Sequence, residues 1–559
     1  MIHNLAHMTW ISLVLIGTIG IKSHLRANTS PHTPAPSSTC EMPVNYDLGQ
    51  YTFPISTNNK MTQHLFNQAI NWTYSFNHPE AERMFRAAAE LDPNCAMCYW
   101  GAAYVLGPNI NAPMAEEAVG PAYEAITKAQ SLLQFASVKE QDYIKALSQR
   151  YSSNLKTDRN VLDQSYAEAM KELHQKYPDD LDIATLYAEA MMDTMPWNYW
   201  NKDGSPRPGT EELIATLQAV LEKNPYHPGA NHYLIHIVEE HYPELATEAA
   251  DRLLDLVPAA GHMQHMPSHI YIRVGRYHDG SISNQKGIQA DLDYLAACPL
   301  RGSYDMMYVP HNYEFLVATA SFEGRSELAI KTAFELQEYV EPHLKHSVAM
   351  FATMQQFWAT PYLSLARFGQ WEQILQQKMP DPDMKYALGI AYYARSLAFM
   401  NLGRMKEAKA ELRQLMQVAD LEELKVQLLM GLNPAADILK IAVKEAQGQI
   451  AAQELNYPLA IEHLREATSL QDALIYIEPP AWYQPVRLVL GRILLESGQA
   501  REAAEVFRKD LTMFPDNAWS LFGLDQSLHA LGQLKLAEQI HSQYLKAWEY
   551  ADVDLEDLF

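Results

Sequence analysis

The chain has 559 residues with 48% apolar and 20% charged side chains, an ordinary balance for a folded protein with material for a large core. Its formal net charge is -24, from 67 acidic and 43 basic residues. Such a surface repels phosphate backbones and anionic lipid, which argues against nucleic acid as a partner and against attachment to a lipid headgroup layer. The same charge also serves simply to keep a large chain in solution.

Residues 1–27 read as a signal peptide or N-terminal anchor. Met8 to Ile21 is nearly all apolar, too short for the roughly 20 residues that span a bilayer but suited to the core of a secretory signal. No Lys or Arg precedes it, and Leu25-Arg26-Ala27 is a poor small-x-small cleavage site, so an uncleaved anchor is the alternative. Membrane contact is expected only through that segment, and the expected location is the periplasm or the cell exterior. Residues 28–60 read as a disordered or irregular linker, rich in Pro, Ser and Thr from Asn28 to Thr39.

Residues 61–200 carry helical patterns in pairs. Ala69, Ala81, Phe85, Ala88 and Pro93 form one spaced set, and Tyr177-Pro178-Asp179-Asp180 separates two helical patterns between Tyr166 and Met192. Between the first pair and the next helix lies Asn94-Cys95-Ala96-Met97-Cys98-Tyr99. Asn94 is expected as the N-cap, which puts Cys95 in the first turn. The Cys95/Cys98 pair reads as a structural disulfide, with a redox pair or half a metal site as alternatives; Tyr99 excludes a c-type haem site. Met195-Pro196-Trp197-Asn198-Tyr199-Trp200 is either core or the wall of a groove.

Residues 201–320 are rich in histidine. Nine of the 21 histidines fall between His227 and His311. His232, His236 and Glu239 follow at i, i+4 and i+7, one face of a helix, where two imidazoles and a carboxylate can grip Zn²⁺ or another transition ion. In Gly261-His262-Met263-Gln264-His265-Met266-Pro267-Ser268-His269 an unbroken helix would align all three histidines, but Pro267 starts or kinks the helix, leaving His262 and His265 in a loop. Pro310 suits a first helical position, with His311 and Asn312 following it. Neighbouring helices about 8–10 Å apart can bring these imidazoles to one ion. The expected metal set is drawn from His232, His236, Glu239, His262, His265, His269 and His311, with Arg273 and Asn312 as ligand-binding residues. The donors suit one Zn or Cu ion, and the nearby Met263, Met266, Met306 and Met307 would favour copper. A histidine-lined groove holding an acidic or aromatic ligand without metal is the other reading.

Residues 321–550 are the regular part, followed by a tail at 551–559. Gly324, Ala329 and Ala333 form one set; Gly369 and Gly403 stand 34 residues apart, the latter followed by Ala408 and Leu412. Ala460, Leu464 and Ala467 form another set. Gly491, Gly498, Ala503, Phe507 and Pro515 form the clearest, with Gly532 again 34 residues after Gly498. These glycines suit left-handed turns between helices, Gly491 a close helix crossing, Phe507 the gap beside it, and Pro515 the end of the pair. The pattern resembles the tetratricopeptide repeat family from about residue 61 to about 550. The resemblance implies an all-α, right-handed superhelical solenoid of stacked antiparallel helix pairs, with a concave groove that usually holds a protein or peptide. Two functions follow: an exported repeat protein whose groove binds a protein, peptide or small ligand, or a Zn- or Cu-dependent enzyme built on the same solenoid.

Overall fold

The computed structural model describes residues 46–154, 156–297, 303–345, 351–482 and 484–559. The expected export segment 1–27, and the linker up to residue 45, lie outside them. The remainder of the linker, from Tyr46 to Asn59, has no helix but is packed down: Leu48 and Phe53 are buried, and the Phe53 amide donates to Asn67 Oδ1 at 3.1 Å.

From Lys60 onward the chain runs as helices that pack on their neighbours in sequence, which is the expected all-α solenoid. Among the described residues the only strands are a two-residue pair, Leu428–Leu429 against Asn433–Pro434. No described helix is long and apolar enough to cross a membrane.

Local chemistry sets the helix boundaries. Asn59 caps the Lys60–Tyr74 helix by accepting from the Met61 and Thr62 amides, and Asn77 with Pro79 starts the His78–Leu91 helix. Gly324, Gly369, Gly403, Gly498 and Gly532 all stand at positive φ in the turns between helices, where a side chain would be strained. Phe507 fills the space left by two glycines: a Cβ on Gly491 would lie 2.4 Å from its ring, and one on Gly523 2.3 Å. Cys95, not Asn94, is the N-cap of the Ala96–Val105 helix. Its Sγ accepts from the Cys98 amide, and the two sulfurs are bonded to each other. Asn94 instead turns its amide to Asp92.

The solenoid winds back on itself. At the front, the Ala259 amide donates to the Asp47 carbonyl at 2.9 Å, and His232 reaches the Tyr74 carbonyl 158 residues away. At the back, Tyr277 donates to the Pro515 carbonyl at 2.8 Å and Trp519 to the Ser321 carbonyl at 3.0 Å. The tail also docks: the Asp552 carboxylate accepts from the Ser326 and Glu327 amides, capping a helix that lacks a cap of its own. The first and last repeats thus close around the middle ones. His232, His236, His262, His265 and His269 of the middle repeats are buried there.

Candidate metal centre

Four helices present the histidines. Pro228–Val238 begins with Pro at its first turn, which His227 caps by accepting the Ala230 amide on Nδ1. His232 and His236 lie one turn apart on its inner face, and Glu239 is its C-cap residue. Gly261–His265 and Pro267–Arg273 follow, joined by Met266 in right-handed helical geometry. His262 and His265 are therefore helical rather than in a loop. Pro267 interrupts the hydrogen bonding without breaking the path, so His262, His265 and His269 keep one face. Pro310 lies inside the Ser303–Phe322 helix, so His311 sits mid-helix and not at a helix start. The run from Tyr304 to Val309 ahead of it is already helical, and the helix continues through Pro310 at the cost of one backbone hydrogen bond and crowding at the carbonyl four residues back.

The six imidazoles form a continuous line. Ring centroids are 4.8 Å apart for His232–His236, 4.9 Å for His232–His262 and 5.9 Å for His262–His265. They are 4.8 Å apart for His265–His269 and 4.9 Å for His265–His311. One nitrogen each from His232, His236 and His262 lies within 4.8 Å of the others, and the same holds for His265, His269 and His311. Aromatic walls enclose them. Phe76 lies over His232, His236 and His262, Trp197 sets its edge on His236, Tyr308 contacts His262, and Phe315 contacts His265, His269 and His311.

Hydrogen bonds fix how several rings are turned. The Tyr74 carbonyl can only accept, so His232 donates from Nδ1, at 2.6 Å, and keeps Nε2 bare. Asn284 spends its amide on the Gly280 carbonyl, so His265 donates from Nδ1 to Asn284 Oδ1 and also keeps Nε2 bare. His269 turns Nδ1 to Glu239 at 2.9 Å and to Glu478 at 3.2 Å. Its Nε2 then faces His265 Nε2 at 2.9 Å. Two Nε2 atoms at that distance must share either a proton or an ion. A carboxylate behind an imidazole is the usual outer partner of a metal-binding histidine.

Burial without partners is costly here. His232 Nε2 and both ring nitrogens of His236 and of His262 have no hydrogen-bond partner. Each such buried atom costs roughly 1–3 kcal/mol. Burial, reinforced by the neighbouring imidazoles, holds His232, His262 and His265 well below the ordinary range and His311 at about 3, so these rings are neutral donors at physiological pH. His269 differs. Burial lowers it, but Glu239 and Glu478 more than reverse this and lift it to about 9. Arg273 sits 3.5 Å from Glu478 and donates to the Glu240 carbonyl, so two carboxylates, Arg273 and His269 nearly balance in charge.

A tetratricopeptide repeat model matches residues 390–420, which span the turn at Gly403 and most of the two helices it joins, Lys385–Asn401 and Met405–Ala419. This segment is a tetratricopeptide-type repeat within an all-α chain of stacked helices. No curated protein sequence matches it. Among solved structures it is similar to the human IFIT1 dimer with m7Gppp-AAAA, at 12% identity, 81% of this chain, 90% of that chain and a TM-score of 0.32. The human IFIT1 dimer with PPP-AAAA gives 11%, 84%, 94% and 0.33. The Cut9–Hcn1 hetero-tetramer of the APC/C gives 12%, 90%, 90% and 0.27.

Within the repeats, the structure brings together His232, His236, Glu239, His262, His265, His269 and His311. Asn312 is turned away from them: its amide donates to Asp291 at 2.7 Å, in a buried cluster with Tyr304. Arg273 belongs to the centre through Glu478 and is not a free anchor for an anionic ligand. His227, His241 and His278 stay outside, His227 against Tyr51 and His278 paired to Glu323 and stacked on Tyr550. Met263 and Met266 are buried in the core. Sequence reasoning missed Glu478 and Phe76. The only signal for Glu478 is a glutamate set among apolar residues and directly before Pro479-Pro480.

Proposed function

We propose that this protein binds a transition-metal ion in its histidine-rich repeats, held by His265, His269 and His311, with Glu239 and Glu478 behind His269. The observation that carries this is the 2.9 Å approach of His265 Nε2 and His269 Nε2, each ring tied from behind through Nδ1. Imidazole donors suit Cu and Zn, and copper has the higher affinity for nitrogen donors. The aromatic enclosure suits an ion that exchanges electrons or meets only small molecules, and it does not favour hydrolysis of a polymer. A protein or peptide partner, the other expectation from the repeats, would bind outside this buried cluster. We also place the protein outside the cytoplasm; the buried Cys95–Cys98 disulfide supports this.

The test is elemental analysis of the full chain after loading with Cu(II) or Zn(II) and desalting. The wild type is expected to retain metal, and His269→Gln or His311→Gln to lose the ion while keeping its helical circular dichroism. A wild-type protein that retains no metal would sink the proposal.

A further inference from the structure

The six imidazoles divide into two sets of three, and we propose that the centre takes a pair of transition-metal ions. His265, His269 and His311 hold one, as in the reading above on which this inference rests; His232, His236 and His262 hold the other.

The second set has the features of a built site. All three residues are buried, and five of their six ring nitrogens make no hydrogen bond, His236 Nδ1 having only the more distant Glu239. The sixth, His232 Nδ1, is committed to the Tyr74 carbonyl, which aims the bare Nε2 into the group. Glu239 lies 3.7 Å from His236 Nδ1, which leaves His236 Nε2 free. The same carboxylate oxygen takes His269 Nδ1 at 2.9 Å, so a single glutamate backs one ring in each set. A histidine stack packed merely as aromatic core would give its nitrogens backbone amides or hydroxyls, as His227 has.

The walls point the same way. Phe76 and Trp197 are two of the few described non-glycine residues at positive φ, at 57° and 58°. Bulky aromatics resist that conformation, and such strain gathers at functional sites. Both rings rest on His236. The two sets adjoin, with centroids 5.9 Å apart for His262–His265 and 5.8 Å for His236–His269. Three imidazoles leave a four-coordinate ion one open position. Two such ions this close can share one small oxygen ligand, water or hydroxide. Six imidazole donors and no thiolate favour copper for both.

Cu(II) loading of the full chain, followed by copper analysis and electron paramagnetic resonance, tests this. Two equivalents are expected, with a spin integral well below the copper content or a half-field transition from coupled ions. His232→Gln and His262→Gln should each hold one equivalent with a full, uncoupled one-spin signal, and unchanged circular dichroism identifies them as folded. Retention of one equivalent by the wild type, unaltered in both variants, would overturn the pair and leave the first site standing. Two equivalents without spin coupling, neither lost in the variants, would place the second ion elsewhere and overturn it as well. A wild type without copper would remove both sites.

Discussion

An imidazole becomes a useful ligand when one nitrogen is held and the other is bare. At His232 and His265 a carbonyl and an amide oxygen do the holding, and at His269 two carboxylates do. The residue types and their i, i+4 spacing were legible in the sequence because a helix face is a local property. The partners that turn the rings were not, because Tyr74 and Asn284 carry no signal for that role. Asn312 was misplaced for the same reason: adjacency to His311 in sequence puts it on another helix face, where Asp291 takes it. A separate buried acid gives a residue-scale prediction. Burial pushes Asp510 up to about 6, although Ser520 and Asn517 donate to it. Between the unfolded value near 4 and about 6, the native state holds a proton that the unfolded chain has released, so stability falls as pH rises across that window. Asp510→Asn is therefore expected to gain on the parent by about 2–3 kcal/mol between pH ~4 and pH ~7 in urea midpoints. Parallel curves for the two proteins would refute the assignment.

A helix pair is stable when its crossing is filled and its turn is unstrained. The turn glycines and Phe507 show both conditions, and both were readable because they recur at a fixed spacing. Phe507 is fully buried between Gly491 and Gly523. Phe507→Ala should cost about 3–5 kcal/mol, since glycines on both sides offer no side chain to collapse into the cavity. A loss under about 1 kcal/mol in chemical denaturation would mean that the neighbouring helices close the gap. The prolines were harder to read. Pro267 and Pro310 each suggest a boundary, yet the backbone continues through both. Tertiary packing of the His262 and His311 faces overrides the local preference.

At the scale of the molecule, the decisive event is closure. The repeat period predicts stacking of neighbours, but not that the front and back of the solenoid will meet the middle. Glu478 and Phe76 reach the histidines only through that winding, and no local pattern encodes it. Because donors come from distant repeats, an ion at the centre ties them together. Saturating Cu(II) at about a hundredfold over its dissociation constant should stabilise the fold by about 2.7 kcal/mol, read as a rise in thermal midpoint that a chelator reverses. An unchanged midpoint in metal-retaining protein would show that the unfolded chain binds copper equally well.

The docking of Glu478 behind His269 also orders events in time. Synthesis delivers all six histidines well before the glutamate that completes the carboxylate pair. A nascent or truncated chain ending before residue 478 has every ring but lacks half of the counter-charge and the neighbour of Arg273. Assembly of the six rings with both carboxylates is thus tied to synthesis beyond residue 478, and a product terminated before it would carry the rings without Glu478.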